Sequence, residues 1–271
     1  MPELPEIASR AREMNTALRG KTILMVEIKQ PKSLNLPADV FTNAVTGARI
    51  MDVTYHGKWI KVRLDKGWLL INQGMGGELL LTTHKTIPEK YRLVFDFTDD
   101  TCLVVNFWWF GYVYFAPVEG LAEISMLAKL GPNIIDLSLE EFSSIVRAQS
   151  PKAKVKVFML DQARVAGVGN AYIHDILFLA GLHPLRLLAT LTDKEMASLH
   201  SAILDSLLPS MKKGGAFYET NLFGEKGGFL MEDILIGYRE GEPCPKCGTV
   251  IEKIRTGSTM SFICPACQPI N

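Results

Sequence analysis

Three groups of residues in this 271-residue chain have types and spacings that could carry chemistry. The first opens it: Met1-Pro2-Glu3-Leu4-Pro5-Glu6. With Met1 removed, Pro2 would carry a terminal secondary amine close to two carboxylates. Such an amine attacks a carbonyl or an activated sugar carbon to form an iminium, with a nearby carboxylate as general acid or base. A proline-rich start is also what a ragged terminus looks like. The second group is Cys244, Cys247, Cys264 and Cys267, in the pattern C-x2-C-x16-C-x2-C. Two such turns offer four thiolates to one tetrahedral zinc, and the spacer is long enough for a hairpin to join them. A redox dithiol pair or an iron–sulfur site is less natural at this spacing. Four cysteines leave no open coordination position, so the Zn2+ is expected to be structural. The third group is basic: Lys152, Lys154, Lys156 and Arg164, a phosphate-binding stripe or a solvated helix face.

Composition sets the frame for these groups. Hydrophobic residues make up 48% and charged residues 21%, as in ordinary globular proteins. The 29 basic and 29 acidic residues cancel, which argues mildly against a polyanionic partner, although a local basic stripe would suffice for phosphate. No apolar run reaches membrane-spanning length. The start carries acids where a signal peptide has basic and then apolar regions, so a cytoplasmic protein is expected. Cys102, alone in an apolar run, reads as a buried small hydrophobe. The five histidines show no metal-ligand spacing.

The elements that must position these groups are legible in outline. Ile7, Ala11, Met14 and Leu18 recur at helical spacing up to Gly20, placing Glu3 and Glu6 at a helix start. From about residue 22 to 116 short runs such as TILMVEI, RIMDVTY, WIKVRL, WLLINQ, YRLVFDF, CLVVNF and YVYF alternate with turn residues, predicting an antiparallel sandwich or barrel. Leu130-Gly131-Pro132-Asn133 marks a boundary. Ser138 with Glu141, and Thr192 with Glu195, are capping-box signatures, and helices are predicted at about 152 to 160, 170 to 181 and 192 to 213. Residues 214 to 233, rich in glycine, read as a mobile loop. The domains expected are 1–130, 131–233 and 234–271.

Taken together, the motifs resemble the formamidopyrimidine-DNA glycosylase and endonuclease VIII family of base-excision repair enzymes, closer to the former. The resemblance runs from PELPE through Gly57-Lys58, Gly74-Met75-Gly76-Gly77, Leu160-Asp161-Gln162 and Ala166-Gly167-Val168-Gly169-Asn170 to Tyr238-Arg239-Glu240-Gly241-Glu242-Pro243-Cys244 and Cys264-Pro265-Ala266-Cys267-Gln268. It implies an α+β protein with an N-terminal antiparallel β-sandwich led by a helix, a helix–two turns–helix domain and a C-terminal zinc finger. It also implies roles. Pro2 attacks the sugar carbon of a damaged nucleotide, Glu3 assists proton transfer to the ring oxygen or base, and Glu6 supports the site. Lys58 and Asn170 bind phosphates flanking the lesion, Lys58 also moving protons, although Lys58 taken alone reads as a solvated strand lysine. The 214 to 233 segment closes over the flipped base, with Tyr218, Phe223 and Phe229 either stacking partners or, for at least one of them, part of the core. Met75 fills the stack vacated by the flipped nucleotide, as apolar wedges do. Asn170 taken alone reads equally as a helix cap.

Two positions depart from the family pattern. The hairpin tip expected to read Arg-Arg-Phe-Gly is Trp108-Trp109-Phe110-Gly111. An indole at 108 lacks the fork of donors that reads an orphaned base, but it stacks on any base. In the zinc finger Thr259 stands where an arginine would grip the lesion phosphate, so a charge-assisted contact is missing. The expectation is a monomeric glycosylase with abasic-site lyase activity on damaged duplex DNA, associated with the nucleoid when bound. PELPE and Lys58 resemble the branch that removes oxidised purines, so an oxidised base is the substrate expected. The missing arginine at 108 leaves open an altered range of bulky, cross-linked, bulged or single-stranded lesions, and the alternative from another class is a non-catalytic damage-binding paralogue.

Overall fold

A computed structural model describes residues 1–270. The chain forms two compact units, Met1–Lys129 with Met211–Phe229, and Leu130–Ser210 with residues 230–270.

The first unit begins with helix α1 (Leu4–Leu18), in which Ile7, Ala11, Met14 and Leu18 are all buried, as their spacing predicts. Strands β1 (Ile23–Ile28), β6 (Leu93–Phe97), β7 (Thr101–Asn106) and β5 (Glu78–Thr83) form one antiparallel sheet in that order. Strands β2 (Ile50–His56), β3 (Trp59–Leu64), β4 (Gly67–Asn72) and β8 (Tyr112–Pro117) form the other. Both sheets turn aliphatic side chains into one core, shared with α1 and with α2 (Ala38–Val45): Val26, Phe95 and Val105 from the first sheet, Val53, Val62 and Ile71 from the second. That is the expected sandwich. Strand β5 and helix α2 were not predicted. In β5 the run Leu79-Leu80-Leu81 has no alternation to mark it, and α2 is only two turns long. Cys102 lies in a small apolar cluster with Val94 and Val104. A one-turn helix α3 (Ser125–Ala128) closes this part of the chain.

The second unit holds α4 (Leu139–Arg147), α5 (Val155–Leu160), α6 (Ile173–Leu179) and most of α7 (Asp193–Lys212). Both predicted capping boxes form: Ser138 N donates to Glu141 Oε2 at 2.8 Å, and Thr192 N to Glu195 Oε2 at 2.8 Å. Strands β9 (Glu252–Thr256) and β10 (Thr259–Ile263) make a single antiparallel hairpin between the two cysteine pairs. Among the described residues no helix is long and apolar enough to cross a membrane.

Candidate active site

Pro2 is buried although Met1 before it is half exposed. The cause is the start of α1, where the two acids close on each other. Glu3 N donates to Glu6 Oε2 at 2.8 Å, and the Glu3 side chain accepts from the Glu6 backbone, a reciprocal capping box. Glu3 is 4% exposed and Glu6 1%. Buried carboxylates at a helix start are stabilised by the N-terminal end of the helix dipole. The first turn therefore holds Pro2 and both acids on one rigid support.

Contrary to the loose loop predicted, residues 214–229 form a hydrogen-bonded flap tied to α1. Ala216 N donates to Glu6 Oε1 at 2.9 Å, Leu222 N to Glu13 Oε2 at 2.9 Å, and the Ser9 hydroxyl to Met211 O at 3.1 Å. Bridges between Ala216 and Phe229 and between Thr220 and Lys226 close the flap on itself. Leu222 and Phe229 pack inward, while Tyr218 and Phe223 are exposed. The sequence reading also missed Glu219. Its Oε1 lies 3.6 Å from the Met1 nitrogen, and its side chain is 11% exposed. Burial pushes the Glu219 carboxyl above the usual range, with the terminal ammonium and Arg10 opposing that push and Glu6 adding to it. Arg10 is itself buried, and its Nη1 is directed at Glu13 Oε2 at 3.3 Å.

Lys58 occupies the two-residue turn between His56 and Trp59, which pair across β2 and β3. Asn72 Nδ2 donates to the Lys58 carbonyl at 3.2 Å, and Trp59 stacks on Tyr112 with ring centroids 6.2 Å apart. Met75 lies in the crossing from β4 to β5, and Trp108–Phe110 in the crossing from β7 to β8. Each joins one sheet to the other, so the tryptophan tip is a sheet-to-sheet connection and not the hairpin expected. The two crossings are joined by Met75 N donating to Trp109 O at 2.8 Å and Trp108 N to Met75 O at 2.9 Å. A Cβ at Gly76 would fall 2.7 Å from Trp108 Cδ2, so the indole lies against the backbone beside Met75. Trp108 is 71% exposed, Phe110 69% and Met75 47%. Phe110 adopts φ +56°, an uncommon conformation for a bulky side chain that costs on the order of 1 kcal/mol or more. A groove of about 300 Å³ beside this tip is lined by Lys32, Arg92, Trp108 and Phe110.

In the second unit the Gln162 side chain builds the turn that carries Asn170. Its Oε1 accepts from Gly167 N at 2.9 Å and its Nε2 donates to Val168 O at 2.7 Å. Asn170 is half-buried, and its Oδ1 is buried without a hydrogen-bond partner. Lys156 does not belong to a surface stripe. It is 2% exposed, and its Nζ donates to Thr256 Oγ1 at 3.1 Å, Met260 O at 2.7 Å and Ser261 Oγ at 2.7 Å. Loss of hydration lowers its pKa to about 8. Asp175, equally unforeseen, accepts from the backbone N–H groups of Leu235, Ile236 and Gly237 at 2.8, 3.0 and 3.0 Å. Thr259 sits at the tip of the β9–β10 hairpin, paired with Thr256. Arg255 is exposed and donates from Nε to Gly257 O at 3.4 Å.

The four cysteine sulfurs all lie within 4.8 Å of one another. Cys244 and Cys267 are 3.9 Å apart, Cys247 and Cys264 3.5 Å, and Cys247 and Cys267 3.5 Å. A disulfide would need about 2.05 Å. Thiolates around one zinc at about 2.3 Å would be about 3.8 Å apart, so the set fits that ion. Lys246 N and Cys267 N point at Cys244 Sγ and Cys264 Sγ, each at 3.4 Å, as donors to metal-bound thiolates do.

Comparison with known proteins places these features together. Residues 1–107 match the formamidopyrimidine-DNA glycosylase N-terminal domain, 130–221 the formamidopyrimidine-DNA glycosylase H2TH domain, and 241–270 a zinc finger found in FPG and IleRS. The formamidopyrimidine-DNA glycosylase of Sodalis glossinidius is 31% identical over 99% of this chain and 100% of its own length. That of Chloroflexus aurantiacus is 32% identical over 99% and 98%. Among solved structures, a mutant of Lactococcus lactis FPG in complex with a Fapy-dG containing DNA superposes with a TM-score of 0.91 at 26% identity, covering 99% of this chain and 100% of that one. The Lactococcus lactis complex with an abasic site containing DNA gives the same score and coverage at 26% identity.

Proposed function

The chain belongs to the formamidopyrimidine-DNA glycosylase family, and we infer that it is a base-excision repair DNA glycosylase with abasic-site lyase activity, working through an imine formed by Pro2 on damaged DNA. The observation that carries this reading is the buried first turn of α1, where Pro2 stands beside Glu3 and Glu6. With Met1 removed, the Pro2 nitrogen attacks C1′ of the damaged nucleotide. The bond to the base breaks, its electron pair leaves with the base, and the proton shed by the alkylated Pro2 nitrogen neutralises the departing base. Glu3 delivers the proton that lets the C1′–O4′ bond open, leaving an iminium. The iminium makes the C2′ hydrogen acidic, and its loss expels the 3′ phosphate, which is the lyase step. Glu6 holds Glu3 and the flap at fixed distance. Lys58 and Asn170 supply the phosphate contacts that set the register of the nucleotide. Met75, Trp108 and Phe110 supply apolar and aromatic surface for the emptied stack. Thr259 gives the zinc finger one neutral hydrogen bond to a phosphate. Cys244, Cys247, Cys264 and Cys267 hold a structural zinc that folds this finger.

Borohydride reduction in the presence of abasic-site DNA is expected to trap the protein covalently, with trapping abolished in Pro2→Gly. No trapping by the mature protein, its N-terminus verified by mass spectrometry, would overturn the reading in favour of a non-catalytic damage-binding protein. The two retained acids disfavour that alternative, since a binder has no use for them.

The exposed Trp108 favours a substrate range that tolerates any partner base. Stacking on Trp108 contributes ~1–3 kcal/mol whatever the base, whereas reading by hydrogen bonds discriminates. Excision of an oxidised purine is expected to vary little with the base opposite and to persist on bulged or single-stranded DNA. A strong dependence on cytosine would refute this.

A further inference from the structure

Glu219 has no part in the chemistry described above, yet its contact is the amine of Met1, the residue directly before Pro2. Its Oε1 lies 3.6 Å from that nitrogen. The flap backbone fixes the residue on both sides, Glu219 N donating to Ala216 O at 3.0 Å and Glu219 O accepting from Gly227 N at 3.1 Å. The charged groups facing the carboxylate are the terminal ammonium and, from α1, Glu6 and Arg10. Glu6 is unavailable for proton transfer, because its two oxygens accept from Glu3 N and Ala216 N at 2.8 and 2.9 Å. Glu3 enters the reaction as the acid that delivers its proton to the ring oxygen, so it is not the acceptor for the amine. Arg10 is directed at Glu13. Removal of Met1 moves the terminal nitrogen by one residue, roughly 3 Å along the chain, and into the buried position of Pro2. A single rotamer change of glutamate spans that step.

We propose that Glu219 is the proton acceptor that converts the Pro2 ammonium into the nucleophile. The proposal rests on the imine reading of the site. In the step, an N–H bond of the ammonium breaks, an O–H bond forms on the Glu219 carboxylate, and the nitrogen lone pair is freed. The pair is neutral overall before and after, so no charge enters from solvent. A terminal amine titrates at about 7.7–8.0 when unperturbed and is mostly protonated at neutral pH. Exclusion of water favours two neutral partners over an ion pair, which favours transfer of the proton to the carboxylate. The upward push that burial gives the Glu219 carboxyl is in the direction this requires.

The test is the single-turnover rate of cyanoborohydride trapping on a preformed abasic-site duplex, measured from pH 6 to 9 with the mature wild type and the isosteric E219Q. The abasic substrate bypasses base excision, so only amine chemistry is read. E219Q is expected to trap about 10²-fold more slowly at pH 6, the low end of the contribution of a positioned base. The deficit should shrink below about threefold at pH 9, where the amine is already free. E219D, which keeps the carboxylate, should recover at least part of the loss at pH 6. A deficit of equal size at every pH would mark a merely structural role and overturn the proposal, as would no deficit at all. Absence of trapping by the wild type would instead overturn the imine reading itself.

Discussion

Two adjacent glycines provide a matched test of whether the flap holds Glu6 in place. Gly214 and Gly215 have φ +80° and +93°, so a side chain at either suffers a similar backbone penalty, about 1–2 kcal/mol. Their surroundings differ. A Cβ at Gly214 meets nothing within 4 Å, whereas one at Gly215 would fall 2.8 Å from Glu6 Cγ and 3.1 Å from Glu6 Oε1. Carbon atoms in contact sit at about 3.5 Å or more. Glu6 in G215A must therefore move by roughly 0.7 Å, and with it the hydrogen bonds to Glu3 N and Ala216 N. A misplacement approaching 1 Å costs up to about 10²-fold in rate. Both variants should lose about 1–2 kcal/mol of stability, a shift of about 0.5–1 M in the urea midpoint for a slope near 2 kcal/mol/M. G215A alone should trap abasic-site DNA about 10- to 100-fold more slowly, with G214A close to wild type. Equal trapping rates for the two variants would refute the idea that Glu6 transmits flap position to the reaction centre.

Three further outcomes are expected. Lys156→Met removes three donations from a buried ammonium and leaves Met260 O without that partner; hydrogen bonds to a charged group are worth about 1.5–3 kcal/mol each but do not add, so the variant should lose about 2–4 kcal/mol, read by urea unfolding, and an unchanged midpoint would refute the assignment. His174 is held neutral by burial, with the charge of Lys156 a smaller cause, its pKa lowered to about 3. A base depressed in the folded state is protonated first in the unfolded chain, so stability is present above about pH 6.5 and falls below it, by about 1.4 kcal/mol between pH 7.5 and 5.5; H174F should flatten that part of the stability–pH curve, and an equal slope in both proteins would count against it. Stripping the metal with a chelator at neutral pH should release one zinc per four titratable thiols and destabilise the cluster of Phe178, Ile236, Ile251 and Phe262 that packs with Cys244 and Cys264. Faster proteolysis between residues 244 and 267 reports this, and identical proteolysis of the metal-free protein would show the zinc to be dispensable for folding.

The parts of the site legible in the sequence are those made by neighbours in the chain. Pro2, Glu3 and Glu6 lie within one helical turn, the cysteine pairs carry their own spacing, and the boxes at Ser138 and Thr192 are three-residue patterns with a hydrogen-bonding reason. The alternating strands revealed one sheet edge at a time, but not β5, whose consecutive leucines lack a period. What stayed hidden depends on contacts between distant residues. Lys156 looks like a member of a basic run until the strand 100 residues later surrounds it with acceptors. The glycine-rich stretch looks unstructured because its anchors, Glu6 and Glu13, are 210 and 209 residues away. Glu219 was invisible for the same reason, since nothing beside it in sequence is titratable in a telling pattern. This division has a functional consequence. A terminal amine with two neighbouring acids is chemistry a short segment can encode alone, but its protonation is decided by whichever group burial brings against it. On the proposal that Glu219 is that group, it comes from the flap, so a flap that closes over the DNA would arm the nucleophile in the same event. In the proposed reading the substitutions at Trp108 and Thr259 fall on residues that meet the DNA and not on those that react. Selection of substrate can therefore change while the reaction at Pro2 stays as it is.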